Sequence, residues 1–449
     1  MDLVLCARDG FIEAHTRDGS VGFDREGARW VKGRNPLERQ DAGAFTPLEQ
    51  ESARRRPRDN HYPFAYSNAA QLFDNPNAPD IAVVHTPAHN WEERGGHRGE
   101  HGSLDVVQSR APLIVSGAGA RALGRIGTSA RMVDIAPTIA ALAGVEAPRA
   151  GDGRSLTDIV AAGAGHVVAF LWDGTNANVL YALADAGELP NVARLMAGGT
   201  TFAHGCVASF PSVTLANHTT AVTGAHPGRH GVLNNFYYDR ARREQVVANS
   251  PTTWHLAREK ISGDVETIFE AVARSGGGFT AAVNEPADRG ASYATFDLVR
   301  AAGGAPALQA ALPAAADVPG STKAFVDVAE YGWSGAADHI AVRQVTELWG
   351  GSNGNPRPRV LWVNLILPDA ANHAGGPYSD IGHAGLRDTD ARLGAMLDVM
   401  DPATTAFILF ADHGMEESDP ACKGDFDEAL TRAGIAFRDE GYGFIYLDP

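Results

Sequence analysis

Asp173, Thr214, Asp369, His373, Asp412, His413 and His101 are of the types that bind divalent cations or attack phosphorus. Asp173 ends the apolar run HVVAFLW and precedes Gly174. It reads either as a turn-capping carboxylate or as a metal ligand. Thr214, in FPSVT, opens a stretch that can run as a helix to Gly224. A hydroxyl there is an N-cap, or a group set where N–H donors and the helix dipole favour an alkoxide or phosphate oxygen. Asp369 and His373 are spaced i, i+4, which turns both toward one metal from a single helical turn or a tight loop. Asp412-His413 follows TAFILFA, and adjacent residues turn inward together only where a strand ends. His101 sits in GEHGS, whose glycines admit close approach of backbone and ligand; a lone histidine there is more often on the surface. Jointly the set makes two sites of mixed oxygen and nitrogen donors, which suits zinc or a similar divalent ion. Two such ions ~3.5–4 Å apart clamp the attacking and leaving oxygens of an in-line phosphoryl transfer.

These groups need a scaffold. Apolar, β-rich runs occur at 80–86, 111–117, 166–172, 359–367 and 405–411, and helical patterns at 134–144, 189–197 and 268–276. Their alternation predicts an α/β fold with a mostly parallel central sheet and helices on both faces. The runs ending at 172, 367 and 411 lead into Asp173, Asp369 and Asp412-His413. Ligands of open parallel sheets bind at the carboxyl ends of strands, so the three motifs point to one site at one sheet edge. Residues 145–165 read as a connector, 33–65 as polar loops or a surface insertion, and 301–320 as a loop or weak helix.

The chain has 449 residues and a net charge of −16, which argues against general binding to nucleic acid or anionic membranes. Its three cysteines (6, 206 and 422) are too few and too scattered for a disulfide framework. There is no apolar run of membrane-spanning length, and MDLVLCARDGF lacks the pattern of a signal peptide, so a cytoplasmic location is expected.

The segments LWDG, LPNVARL, FPSVT, NH, HPGRHGVLNN, DAANH, ADHGM and GEHGS together resemble the alkaline phosphatase superfamily, in its type I phosphodiesterase/nucleotide pyrophosphatase branch. The resemblance implies that Asp173, Thr214, Asp412 and His413 hold one zinc, and Asp369, His373 and His101 the other. It makes Thr214 the nucleophile of a phospho-threonine pathway and Asn235 the amide that donates to a non-bridging phosphate oxygen. Asn234, His218 and His230 fall at positions that are structural in the family. His97 and His383 flank ligand motifs, in surface or supporting roles.

The order of segments departs from the family. GEHGS and the helix APTIAALAG, which close the family's chains, here precede the nucleophile. The expectation is a circular permutant in one domain. Residues 1–160 form the C-terminal-like segment carrying His101, 161–165 the joint, and 166–449 the N-terminal-like segment. Met1 should then lie near Pro449, and strands from both segments should share a sheet. Two sheets, one per segment, would exclude it.

Two positions where the family often carries a base-stacking aromatic hold Asn364 and Leu215 here, which weakens the case for a nucleotide; Phe236, Tyr237 or Tyr238 could stack instead, although aromatics after a turn are more often core. The implied partner is a small-molecule phosphate ester. A phosphonoacetate hydrolase-like activity and a phosphomonoesterase are the enzymatic alternatives; Arg289 could be the extra basic group of the latter, although a solvated loop arginine is the commoner reading. A catalytically inactive metal-binding scaffold is the alternative of another class.

Overall fold

The computed structural model describes residues 2–8, 10–44, 60–91, 96–320, 324–325, 327–419, 422–424 and 426–447. The strands used below are, in chain order, β1 (Leu3–Arg8), β2 (Phe11–His15), β3 (Gly19–Asp24), β4 (Gly27–Gly33), β5 (Ile81–Val84), β6 (Leu113–Gly117), β7 (Gly124–Ile126) and β8 (His166–Trp172). They continue with β9 (Gly199–Phe202), β10 (Thr280–Val283), β11 (Tyr293–Ala294), β12 (Val360–Leu365), β13 (Thr405–Phe410), β14 (Phe437–Asp439) and β15 (Phe444–Leu447). The helices used below are α1 (Ile135–Ala143), α2 (Ala177–Asp185), α3 (Pro190–Ala197), α4 (Thr214–Thr223), α5 (Ile268–Arg274), α6 (Ala329–Gly350), α7 (Leu367–Gly375) and α8 (Asp380–Leu397).

An eight-stranded sheet in the order β7-β9-β6-β13-β8-β12-β10-β11 is the platform for the site. Its central strands β13, β8 and β12 are apolar on both faces because both faces are covered. Val167, Ala169 and Leu171 of β8 point into one hydrophobic cluster, and Val168, Phe170 and Trp172 into another. Helices α1, α4 and α5 pack on the first side; α2, α3, α6 and α8 pack on the second. Local signals fix the helix ends. Thr267 and Glu270 form a capping box on α5, Pro190 starts α3, and Gly224 ends α4 in the left-handed region at φ 70°.

The expectation of a mostly parallel sheet is corrected in two respects. The platform is mixed, since β6 runs antiparallel to both β9 and β13. A second sheet of seven strands, β14-β15-β5-β1-β2-β3-β4, is antiparallel throughout. The run at 80–86 belongs to this second sheet as β5, not to the platform. Its inner face, including Leu5, Ala14, Val21, Phe23 and Val84, joins the same hydrophobic cluster as the platform.

Both large sheets take strands from either side of residues 161–165, so the two segments are not built into separate sheets. On the second sheet, β1 and β15 flank β5 from opposite sides, with Leu3 opposite Val84 and Phe444 opposite Ala82. Met1 and Pro449 lie outside the described residues, as do 45–59 of the expected polar region. The joint itself is hydrogen-bonded: Ala164 donates to Leu142 and Gly165 to Thr404.

Candidate active site

Strands β13, β8 and β12 are adjacent and parallel, so their carboxyl ends place three acidic groups side by side. Asp173 follows β8, Asp412 and His413 follow β13, and Asp369 lies in the first turn of the helix after β12. That helix, α7, settles the alternative between helical turn and loop: Asp369 and His373 share one face, with Oδ2 and Nε2 3.4 Å apart. Its start is held by the fully buried Asp338 of α6, which accepts from the N–H groups of Ile366 (2.9 Å) and Leu367 (3.1 Å). Burial pushes the Asp338 carboxyl up to about 6, against the pull of Arg392 and those two donors.

Thr214 is the first residue of α4, with Val213 extended before it. Asn217, one turn on, ties down the preceding loop by accepting from Ser209 N (2.7 Å) and donating to Pro211 O (2.9 Å). Asn235 accepts from Leu215 N through Oδ1 (3.3 Å), so what it can offer the cavity it lines is its NH2 group. Asn234 is buried and accepts from Asn235 N (2.8 Å), a backbone-holding role.

His101 reaches the same place from the other segment. Gly99-Glu100 pairs antiparallel with Glu416-Glu417, just past Asp412-His413. Gly99 lies so close to α7 that a Cβ would meet Asn372 O at 2.5 Å. On the opposite side His101 Nδ1 contacts Ser212 O (3.0 Å), two residues before Thr214.

The groups fall into two triads whose donor atoms lie within 4.8 Å of one another: Asp173, Asp412 and His413, and His101, Asp369 and His373. The His101 and His413 rings stack at 3.7 Å, bringing the triads together. In all three histidines Nδ1 faces a backbone carbonyl: Ser212 O for His101, Gly99 O for His373 (2.8 Å) and Gly414 O for His413 (2.9 Å). This contact fixes the tautomer that presents Nε2, as metal-binding histidines require. Gly174 couples the triads. Its N–H donates to Asp412 Oδ1 (3.1 Å), its carbonyl accepts from Asn372 of α7 (3.0 Å), and at φ +61° a Cβ would collide with Asp369.

The donors fit divalent cations on physical grounds. Asp173 Oδ1, Asp369 Oδ1, Asp412 Oδ2 and His413 Nε2 are buried and have no hydrogen-bond partner. Buried polar atoms are normally satisfied, so four converging orphans mark a place for a Lewis acid. Burial, reinforced by the Asp412 and Asp369 carboxylates, pushes Asp173 well above the usual carboxylate range. His218, one turn after Thr214, faces this pair: its Nε2 is 3.7 Å from Asp173 and 3.6 Å from Asp412, and its Nδ1 is 3.0 Å from the buried Glu285. Burial alone would lower His218, but Glu285, Asp173 and Asp412 hold it well above its ordinary value.

The site opens into a cavity of about 520 Å3, lined in part by His101, Asp173, Thr214, Asn235, Asp369 and His373, with Asp412 and His413 fully buried. The structure thus brings together all seven proposed ligands and Asn235. It also decides between the readings left open for the aromatics and for Arg289. Tyr237 is buried away from the cavity, Phe236 stacks on Tyr442, and Tyr238 packs against Tyr446. Trp254 and Trp333 line the cavity instead, and neither lies in a recognisable motif. Arg289 pairs with Glu270 and caps the carbonyls of Ile261 and Ser262, so it is no phosphate ligand. His230 is buried against Thr220, a structural role. His97 supports the site: it contacts Glu100 (3.0 Å) and its ring lies 4.3 Å from that of His373. Glu285 and Glu100 were missed, although Glu100 stands within GEHGS.

The type I phosphodiesterase / nucleotide pyrophosphatase family matches residues 167–449, well over half of the sequence. The chain belongs to this family. The matched stretch holds Thr214 and six of the other proposed site residues, but not His101. Among curated proteins, the uncharacterized pyrophosphatase/phosphodiesterase C725.05c of Schizosaccharomyces pombe is 35% identical over 85 residues, covering 19% of this chain and 16% of that protein. Among solved structures, murine ectonucleotide pyrophosphatase/phosphodiesterase 5 aligns with a TM-score of 0.41 and 18% identity, over 61% of this chain and 64% of that one. Phosphonoacetate hydrolase from Sinorhizobium meliloti, in complex with phosphonoformate, aligns with a TM-score of 0.37 and 18% identity, over 56% and 57%. The chain thus spans less than two thirds of the length of each of these relatives. Among the described residues no helix is long and apolar enough to cross a membrane.

Proposed function

We propose that this chain is a metal-dependent hydrolase of phosphodiester or phosphoanhydride bonds that works through a phospho-threonine on Thr214. The observation that supports it most is the meeting of Thr214, Asn235 and both donor triads at one cavity. Two divalent ions, zinc by the donor set, would be held by Asp173, Thr214, Asp412 and His413, and by Asp369, His373 and His101; they would acidify the Thr214 hydroxyl and offset charge on the phosphate. Thr214 Oγ attacks phosphorus and the bond to the leaving oxygen breaks, which leaves a threonine phosphoester. Water then cleaves that ester and restores the hydroxyl. The Asn235 amide donates to a non-bridging oxygen as charge builds there.

Diesters are favoured over monoesters and over carboxylate-bearing phosphonates because, among the described residues, none that lines the cavity is Lys or Arg. A second anionic charge would find no lysine or arginine among those side chains. The rotated segment order belongs to the same reading: 1–160 and 166–449, joined through 161–165, make one domain and one site. Strand exchange between the segments in both large sheets supports it.

The test is zinc-supplemented hydrolysis of bis(p-nitrophenyl) phosphate against p-nitrophenyl phosphate. The expected result is a diester preference, with Thr214→Ala losing at least about 10^3-fold in rate. Preference for the monoester would replace the diesterase with a phosphatase, and a fully active Thr214→Ala would remove the nucleophile.

A further inference from the structure

Beside the triads, the cavity wall is aromatic and acidic. Trp254 opens a short helix at 254–260 and Trp333 lies on α6; their ring centroids are 5.7 Å apart with planes inclined by 51°. The rings touch at an angle, so they form a corner, with no gap between them for a flat group. Each indole N–H is spent inside the wall, Trp254 on Asn249 (2.6 Å) and Trp333 on Gln309 (2.9 Å). That fixes both rings and leaves their π surfaces as what they can offer a ligand. Glu330 lies three residues before Trp333, on the same face of α6, and lines the same cavity. The wall is joined to the phosphate side, since Asn249 N donates to Asn235 O (3.2 Å).

From these features we infer that the corner of Trp254, Trp333 and Glu330 binds a cationic substituent of the phosphodiester, of the quaternary ammonium type. This rests on the diesterase reading above. Indole faces carry negative electrostatic potential and attract a cation, most strongly for Trp. Glu330 adds a carboxylate, and among the described residues no Lys or Arg side chain lines the cavity to oppose it. A rounded cation can touch two inclined faces at once, whereas a flat base can stack on only one. At the two positions where the family resemblance places a base-stacking ring, Asn364 and Leu215 supply none.

Calorimetric titration of the zinc-loaded protein with phosphocholine, its neutral carbon isostere 3,3-dimethylbutyl phosphate, adenosine monophosphate and inorganic phosphate tests this. Phosphocholine is expected to bind about tenfold tighter than the isostere. The ratio should fall toward one in Trp333→Leu, partly in Glu330→Gln, and survive in Trp333→Phe, which keeps a ring. Equal binding of phosphocholine and the isostere overturns the inference, as does tighter binding of adenosine monophosphate than of phosphocholine. The two readings fail separately. If bis(p-nitrophenyl) phosphate is hydrolysed while phosphocholine shows no advantage, only the corner is wrong. If phosphate does not bind and no diester is cleaved, the diesterase reading falls and the corner with it.

Discussion

Asp173, Asp412 and His413 stand at the ends of two adjacent parallel strands, with side chains 7%, 0% and 0% exposed. His101, Asp369 and His373 come from a loop of one segment and a helix of the other, and Asp369 and His373 are 21% and 12% exposed. Sheet register places the first triad, and its ties are local: Gly414 O behind His413 and Gly174 N–H on Asp412. The second depends on added ties: the Asp338 cap on α7, the carbonyls behind His101 and His373, and the close packing of Gly99 on Asn372. Depth has an electrostatic cost, visible in Asp173, whose burial beside two other carboxylates disfavours its charged form. The deep triad is therefore rigidly placed and strained without cations, whereas the shallow one is easier to reach and to disturb.

The largest test of that difference is a paired substitution. Asp412→Asn should cost at least about 10^3-fold in diester hydrolysis while raising the stability of the metal-free protein, because one of the carboxylates that disfavour the charged form of Asp173 is gone. Asp369→Asn should also impair activity but change metal-free stability far less. Urea unfolding after chelator dialysis measures both, and equal stability changes would erase the distinction.

Next in size is Gly174→Ala. Its added methyl meets Asp369, and its backbone is in a region that L-residues rarely adopt, so both triads shift together. A loss of about 10–100-fold in kcat/KM is expected, with the fold retained, on the scale of displaced supporting contacts around metal ligands. A variant with wild-type activity would mean that the triads tolerate independent movement.

Much of the deep triad was legible in the sequence, because a buried strand announces itself by an apolar run and its ligand follows directly. HVVAFLW is β8 residue for residue. The i, i+4 spacing of Asp369 and His373 was equally direct, although the strand before them ends at Leu365, where Asp338 captures the next two N–H groups and starts α7. The antiparallel sheet was not read, since β1 to β4 are short and amphipathic and 80–86 has the same apolar look as a platform strand. Trp254, Trp333 and Glu285 were out of reach for a different reason. Their place at the site comes from tertiary packing, and no local spacing relates them to the ligands.

A smaller effect separates the triads kinetically. Under a chelator such as dipicolinate, bound metal should leave in two phases, the faster one from the site of His101, Asp369 and His373, where solvent reaches Asp369 and His373. Asp369→Asn should remove the fast phase and leave the slow one. A single phase of two equivalents would show that depth does not govern release.

The smallest expected effect lies in the tie that holds the shallow triad. Asp338 is raised to about 6 in the folded protein from an ordinary 3.8, so between these values the folded state binds the extra proton. A raised carboxyl favours folding at low pH, and this contribution is lost as pH climbs through about 6. The full window is worth at most about 3 kcal/mol. Asp338→Asn has no such proton to lose. Its metal-free stability relative to wild type should therefore rise steadily from pH 4 to pH 7, whatever the offset from altering the cap. Parallel pH profiles for the two proteins would mean that the Asp338 carboxyl is not buried against the start of α7, and the shallow triad would then owe its position to the carbonyls behind its histidines alone.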